Sequence, residues 1–335
     1  MSGKLKVGVI GAGGLGYHHV RLFRDLPGVE FVGFHDARAE RAEQVAKELK
    51  VRHFDSLDAL LAAADAVTIV VPTPAHHAVT MRALAAGKHV LIEKPIAATL
   101  EEADEMLAAA ARAGVVVQTG HVERFNRAVR AALPYIDQPG FVEINRLAPF
   151  NPRGSDVPVV LDLMIHDIDL ARTVVRGGRV TELTAAGIPV ITPEVDIANA
   201  RLTFDTGAVA NITASRVSRD RFRKLRVFQR SGYISLDLGS GDGVFYRIKK
   251  GLDMAELAAS PRKLEDFMER ITLKAPDGEP LKLEFESFVA AVQGKQPVAV
   301  SGEEGRDALA VALRIVQEIE KGMARWLGPD AGRRA

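Results

Sequence analysis

The stretch Val7-Gly8-Val9-Ile10-Gly11-Ala12-Gly13-Gly14-Leu15-Gly16 constrains the fold more than any other part of the chain. A β-branched run leads into a G-x-G-x-x-G pattern, and an amphipathic helical stretch begins where the pattern ends. In that context Gly11 permits a tight turn and Gly13 lets a pyrophosphate approach the backbone. Gly16 lets helix and strand pack closely. Gly14 and Leu15 open the helix, whose N-terminus faces the phosphates. Asp36 closes the next β-rich run, 20 residues after Gly16, where a carboxylate belongs that accepts hydrogen bonds from a ribose 2′-hydroxyl. The same carboxylate repels a 2′-phosphate, so NAD is favoured over NADP. Arg38 is the one nearby feature that would pair with such a phosphate, and His35 is read as structural.

The loop belongs to a longer pattern. Lys6–Ile10, Glu30–His35, Ala66–Val71, His89–Ile92 and Val115–Thr119 read as strands. Leu15–Leu26, Ala39–Leu49, Leu57–Ala63, His77–Ala86 and Leu100–Ala113 read as helices, with Gly87 and Gly114 as C-caps and Thr99 with Glu102 as a capping box. Short apolar strands alternating with helices predict a parallel, doubly wound α/β sheet. After residue 120 the texture changes. A helix is expected at Arg124–Leu133, then extended runs at Phe141–Leu147, Val180–Ile188, Ala198–Phe204, Ala208–Ser215, Lys224–Arg230, Tyr233–Leu238 and Gly243–Lys249. Polar–apolar alternation in these runs marks an antiparallel sheet with one wet face, which often serves as a subunit interface. Helices at Leu161–Val175 and Gly302–Trp326 complete an α+β domain. The expected division is 1–120 for a Rossmann NAD-binding domain, 121–327 for an α+β substrate and oligomerisation domain, and 328–335 for a flexible tail.

Composition narrows the chemistry. The 335 residues contain no cysteine, which removes disulfides, thiolate metal sites and cysteine nucleophiles. A formal net charge of +1 gives no global field for nucleic acid or an acidic membrane. No apolar run is long enough for a signal sequence or a spanning helix, so a cytoplasmic location is expected. His18-His19 and His76-His77 lack metal-ligand spacing, and no metal is expected.

Polar chemistry gathers where the predicted parallel strands end, the usual place for ligands in such sheets. Pro72-Thr73-Pro74-Ala75-His76 follows one strand, Glu93-Lys94-Pro95 the next, and Gly120-His121-Val122-Glu123-Arg124-Phe125-Asn126 the one after. A lysine there can donate to a substrate oxygen and stabilise an alkoxide, although most lysines are simply solvated. Pro95 fixes the backbone beside it and is a candidate for a cis peptide. In the second region Asp162 and His166 stand four apart on one helix face, ringed by apolar residues. Buried ionisable groups need partners or a task, so the pair is either a satisfied core histidine or a proton-handling site. The basic run Arg216, Arg219, Arg221, Arg223, Lys224 and Arg226 reads foremost as a solvated strand or interface rim.

These motifs together resemble the glucose–fructose oxidoreductase/inositol dehydrogenase/rhizopine-catabolism (Gfo/Idh/MocA) superfamily across essentially the whole chain. The match rests on the glycine loop, on Pro72-Thr73-Pro74-Ala75-His76, on Ala86-Gly87-Lys88-His89-Val90-Leu91-Ile92-Glu93-Lys94-Pro95, and on Asp162-x-x-x-His166. The resemblance implies a Rossmann domain followed by an open, mostly antiparallel sheet through which homodimers or homotetramers form. It implies Lys94 as the active-site lysine and Asp162 with His166 as the Asp–His pair, the histidine accepting the proton. Thr73, His76, Glu93 and Pro95, next to Pro72, would surround the nicotinamide. Gly120–Asn126, Asp162–Asp169 and Phe228–Asp237 look like the branch that oxidises the 3-hydroxyl of UDP-N-acetylglucosamine. That branch usually has Pro after Phe-Asn, where Arg127 stands here. Phe125 and Asn126 then become substrate candidates, and Arg124 and Arg153 candidates for a diphosphate. A dehydrogenase of a free sugar or inositol, and a non-catalytic NAD-binding sensor, are the alternatives.

Overall fold

The computed structural model describes residues 3–152, 154–249 and 264–327, so Arg153 and the expected tail at 328–335 lie outside the described residues. Contacts divide the chain into two compact units, Met1–Val122 with Glu279–Ala310, and Glu123–Gly278 with Val311–Ala335.

The first unit is the expected doubly wound sheet. Strands β1 (Leu5–Ile10), β2 (Val29–His35), β3 (Ala66–Ile69), β4 (His89–Glu93) and β5 (Val117–Gly120) pair in the order β2-β1-β3-β4-β5, every pair parallel. Helices α1 (Gly14–Arg24), α2 (Ala39–Leu49), α3 (Leu57–Ala63), α4 (His76–Ala85) and α5 (Leu100–Ala113) link them. Strands β3 and β5 are buried along their whole length, Thr68, Gln118 and Thr119 included, as in a sheet covered on both faces. The predicted capping box forms in part. Thr99 Oγ1 accepts from the Glu102 amide at 3.2 Å, but the Glu102 carboxylate takes the amide of Ala98, one residue before the cap. Gly114 ends α5 with φ +65°, the left-handed geometry that favours glycine.

The N-terminal part of the first unit ends at Val122, close to the expected 120, but 121–327 is not one continuous unit, because Glu279–Ala310 returns to the first. It carries a helix that the sequence reading did not assign, Pro280–Val292. Phe285 and Phe288 of that helix are fully buried among Val7, Phe23, Phe34 and Leu91, and Phe285 stacks on Phe23 with ring centroids 4.2 Å apart. A sheet covered on both faces needs this apolar surface, and the chain supplies it from a point distant in sequence.

The second unit contains α6 (Arg127–Ala132), β6 (Phe141–Leu147), α7 (Ile165–Val174), β7 (Val180–Ile188), β8 (Ile197–Phe204), β9 (Val209–Ser215), β10 (Phe222–Gln229), β11 (Gly232–Asp237), β12 (Asp242–Ile248), α8 (Leu264–Phe267) and β13 (Met268–Leu273). Its sheet has the order β13-β12-β11-β10-β6-β9-β8-β7 and is antiparallel except where β6 meets β9. Alternation along β6 buries Val142, Ile144 and Arg146 while their neighbours stay partly exposed. Strand β13 escaped the sequence reading because it is an edge strand whose residues are mostly exposed, so no alternation marks it. The helix expected at Arg124–Leu133 starts late. Asn126 adopts extended ψ and caps α6 by accepting from the Ala128 amide, so only a 3₁₀ turn precedes it. The helix expected over Leu161–Val175 opens as a π-helical turn at Val160–Met164 before α7 begins. The long helix expected at Gly302–Trp326 is observed at Gly302–Leu327.

Candidate functional site

The glycine loop is built by contacts that leave no room for side chains. At Gly11 (φ +93°) a Cβ would stand 2.4 Å from the Val70 carbonyl oxygen, and at Gly16 one would stand 2.1 Å from the Gly11 oxygen. Gly13 differs, because the nearest atom to its would-be Cβ is the Arg38 guanidinium at 3.8 Å. The backbone is therefore open at the one glycine where a pyrophosphate must approach. The residues fit a dinucleotide on this ground. Leu15 is half-buried and Gly14 exposed at the start of α1.

Asp36, at the end of β2, accepts the Ala12 amide at 2.7 Å and is bridged by the Arg38 guanidinium. Burial alone would raise its carboxyl pKa, but Arg38 and the amides of Ala12 and Arg38 outweigh that and hold it below the usual range. It is therefore a committed anion. His35 donates its Nδ1–H to the Phe54 carbonyl at 2.9 Å.

The end of β4 is held as tightly. Glu93 is buried and receives His19 of α1 at 3.0 Å, while the other His19 nitrogen contacts Thr68 of β3. Burial pushes the Glu93 carboxyl up, but His19 and the neighbouring Lys94 charge more than reverse this. A Cβ on Gly120 would come 3.0 Å from that carboxylate, so β5 ends in glycine where Glu93 needs space. The Lys94–Pro95 peptide is cis, and Lys94 is half-buried. His76, at the start of α4, spans the Pro95 carbonyl (2.8 Å) and the Val71 carbonyl (2.9 Å). It ties the loop carrying Lys94 to the 3₁₀ turn that starts with Thr73 after Pro72. Burial lowers the His76 pKa despite both carbonyls and nearby Glu93.

In the second unit, Asp162 and His166 are both half-buried, whereas Asp167 and Asp169 are buried completely or nearly so. The four acids and bases of this segment thus divide by exposure. Asp162 and His166 are the more accessible pair, and the other two anchor the helix. Arg146 of β6 forks onto Asp167 (2.7–3.0 Å) and also reaches Glu123 at 2.9 Å. Arg124 forks onto Asp169 at 2.6 and 2.8 Å. Burial raises the Asp167 pKa against the pull of Arg146. The segment before the π turn packs against Asp162. A Cβ on Gly154 (φ +79°) would lie 2.8 Å from its carboxylate, and Arg216 holds the Gly154 and Val157 carbonyls while it pairs with Asp196.

Several sequence candidates therefore acquire different work. The Arg124 fork that a diphosphate would need is turned to Asp169. Asn126 uses its oxygen to cap α6 and its amide on Glu123 and the Leu238 carbonyl. Phe125 is half-buried in the 3₁₀ turn between them. Arg127, in place of the usual Pro, reaches the Ser240 and Gly241 carbonyls and Asp242 and Asp277, so the departure from the motif binds α6 to the β11–β12 turn. Arg216 of the basic run is buried and structural. The supports that sequence reasoning missed are His19, Arg146 and Asp196. Arg146 left a signal, being a charge on the apolar phase of an alternating strand.

Comparison with known proteins agrees with this geometry. Residues 5–121 match the oxidoreductase family with an NAD-binding Rossmann fold, and residues 148–235 match the GFO/IDH/MocA C-terminal domain. UDP-N-acetylglucosamine 3-dehydrogenase of Acidithiobacillus ferrooxidans is 37% identical over 326 residues, covering 96% of this chain and 99% of that one. A solved structure of that enzyme superposes with a TM-score of 0.86, covering 95% of this chain and 98% of the other. The scyllo-inositol 2-dehydrogenase (NAD(+)) of Bacillus subtilis is 32% identical over 65% of this chain and 69% of its own length. The chain belongs to the Gfo/Idh/MocA family of NAD-binding oxidoreductases.

Proposed function

We propose that this oxidoreductase takes a hydride from C3 and a proton from the 3-hydroxyl of a UDP-linked N-acetylhexosamine, giving a 3-keto sugar. The observation that carries the reading is the near-full-length likeness to a UDP-N-acetylglucosamine 3-dehydrogenase; the Lys94, Asp162 and His166 that the resemblance implies support it. Bound nicotinamide supplies the hydride acceptor. Gly11, Gly13 and Gly16 would hold the pyrophosphate and Asp36 the adenosine ribose. Asp36 is a committed anion, which supports NAD over NADP.

The protein's own groups handle the proton. His166 suits the base role, since imidazole is the side chain able to exchange a proton around neutral pH. Asp162, one turn earlier, orients the ring and stabilises the imidazolium. Lys94 hydrogen-bonds the substrate oxygen and stabilises charge as it develops. Glu93, fixed by His19, and His76, clamped between two carbonyls, keep the lysine-bearing loop in one shape.

We also assign the open face of the eight-stranded sheet to self-association. Phe141, Phe228, Tyr233 and Tyr246 form a ladder of rings across four strands there, with successive centroids 4.8–5.9 Å apart. No helix among the described residues is long and apolar enough to cross a membrane.

The test is reduced-nicotinamide absorbance with UDP-N-acetylglucosamine, free sugars, inositols and both cofactors. Turnover of the UDP sugar with NAD, inhibited competitively by UDP, is the expected outcome. Turnover of only a free sugar or inositol, with no inhibition by millimolar UDP, would sink the nucleotide-sugar reading.

A further inference from the structure

A diphosphate needs a cation whose donors are accessible, and the second unit has used most of its inward cations elsewhere. Arg124, Arg146 and Arg216 are each closed on a buried carboxylate. Arg223 is different. It stands second in β10, paired in register with Arg146 of β6, so the two guanidinium groups leave adjacent strands on one face of the sheet. Leu225 and Val227, on the same phase of β10, are fully buried, which identifies this as the inner face. Like charges directly opposite on neighbouring strands are unfavourable unless something answers them. Arg146 is answered by Asp167 and Glu123. The Nη1 of Arg223 lies 3.6 Å from Glu123 Oε1, beyond hydrogen-bond length, and that oxygen already receives Arg146 at 2.9 Å. The Arg223 side chain is 35% exposed. Burial, Arg146 and Arg221 all lower its pKa, with Glu123 and Asp167 opposing them.

Its position suits a ligand. Strand β6 ends one residue past Arg146, and from that end the chain runs through Gly154 to Asp162 and His166. Asp167, adjacent to His166, is close enough to feel the Arg223 charge. We propose that Arg223 is the diphosphate-binding residue of this enzyme and sets its preference for nucleotide sugars over free sugars. The proposal rests on the nucleotide-sugar reading above. The planar fork of arginine matches two phosphate oxygens, and the ligand supplies the negative charge that Glu123 shares out incompletely.

Calorimetric titration with UDP, inorganic pyrophosphate and uridine tests it on the full-length wild type and on Arg223→Met, Arg223→Gln and Arg223→Lys. Arg230→Met, an exposed cation in the turn at the far end of β10, is the control. Loss of one forked, charge-assisted contact should weaken UDP and pyrophosphate by on the order of 10- to 100-fold in the Met and Gln variants. Arg223→Lys should lose less, Arg230→Met should lose nothing, and uridine binding should stay constant throughout. Wild-type affinity for UDP and pyrophosphate in a folded Met or Gln variant overturns the role of Arg223 and leaves the nucleotide-sugar reading standing. If Arg223 governs pyrophosphate binding while UDP-N-acetylglucosamine is not oxidised, the cation site stands and the substrate reading fails. A wild type that binds neither UDP nor pyrophosphate overturns both.

Discussion

The two units hold their reactive groups by different means. In the first unit the glycine loop is shaped by backbone contacts, with a would-be Cβ 2.1–2.4 Å from carbonyl oxygens, and beside Lys94 His76 stretches between two carbonyl oxygens while Glu93 pairs with His19. Around His166 they are ionic, with Arg146 on Asp167 and Glu123, Arg124 on Asp169, and Arg216 on Asp196. Removing a side chain that touches only carbonyl oxygens leaves no ionised partner buried behind it. A buried ion pair fixes position only while both partners remain, because each alone is a desolvated charge. The second unit should therefore be the more fragile to single substitutions of polar residues.

The largest effect follows directly. Arg146→Met leaves Asp167, fully buried, and Glu123 without their main cation. Removing one partner of such a pair costs about 3–5 kcal/mol, so the variant should unfold at markedly lower denaturant in a chemical melt. Adding Asp167→Leu should recover part of the loss, since a buried pair replaced whole by apolar groups is often neutral. An unchanged midpoint in Arg146→Met would remove the distinction between the units.

Next in size are Lys94→Ala and His166→Ala. Under the proposed mechanism each residue handles proton or charge at the substrate oxygen, so each variant should lower kcat by at least ~10²-fold with little change in melting temperature. Near-normal turnover in either variant would show that the two supports hold something other than the reacting groups.

The cofactor end gives a smaller change. Asp36→Ser removes the carboxylate that accepts the Ala12 amide and leaves Arg38 without its partner. The KM for NAD should rise about 10-fold, by the loss of one charge-assisted contact, and the NADP/NAD ratio of kcat/KM should rise with it. An unchanged ratio would mean that Asp36 serves only to fold the glycine loop.

What the sequence disclosed tracks the same contrast. The glycine loop, Asp36, Glu93-Lys94-Pro95 and the Asp162–His166 spacing lie within a few residues of one another or at a fixed distance along the chain, and local rules reach them. The ion pairs join residues 20, 21 and 45 positions apart, and charge type alone does not say which partner is chosen. Arg124 and Asn126 looked like ligand groups for that reason, since their motif advertised polarity while its destination lay on other elements. The helix Pro280–Val292 was missed similarly. Its apolar face fills the first unit's core only once the chain has crossed the whole second sheet and returned.

The smallest expected effect separates the units by pH. The buried His76 has a pKa below its ordinary value, with desolvation the leading cause and the Val71 and Pro95 carbonyls and Glu93 opposing it. As pH falls below about 6.5, the unfolded chain takes up this proton first, so stability declines until the lower folded pKa is passed. One such proton gives a slope of at most about 1.4 kcal/mol per pH unit. Asp167 has the opposite sign. Its folded pKa is raised by burial, so its stabilising contribution is complete below the unfolded value near ~3.9 and is lost as pH rises through the folded one. A melting temperature that drops between pH 7 and pH 5.5, with the drop reduced in His76→Gln, would assign this weakness to the backbone-clamped unit. Asp167→Asn should leave the drop in that window in place. If instead it abolishes the drop, the ion-paired unit governs acid sensitivity and the contrast drawn from the geometry is reversed.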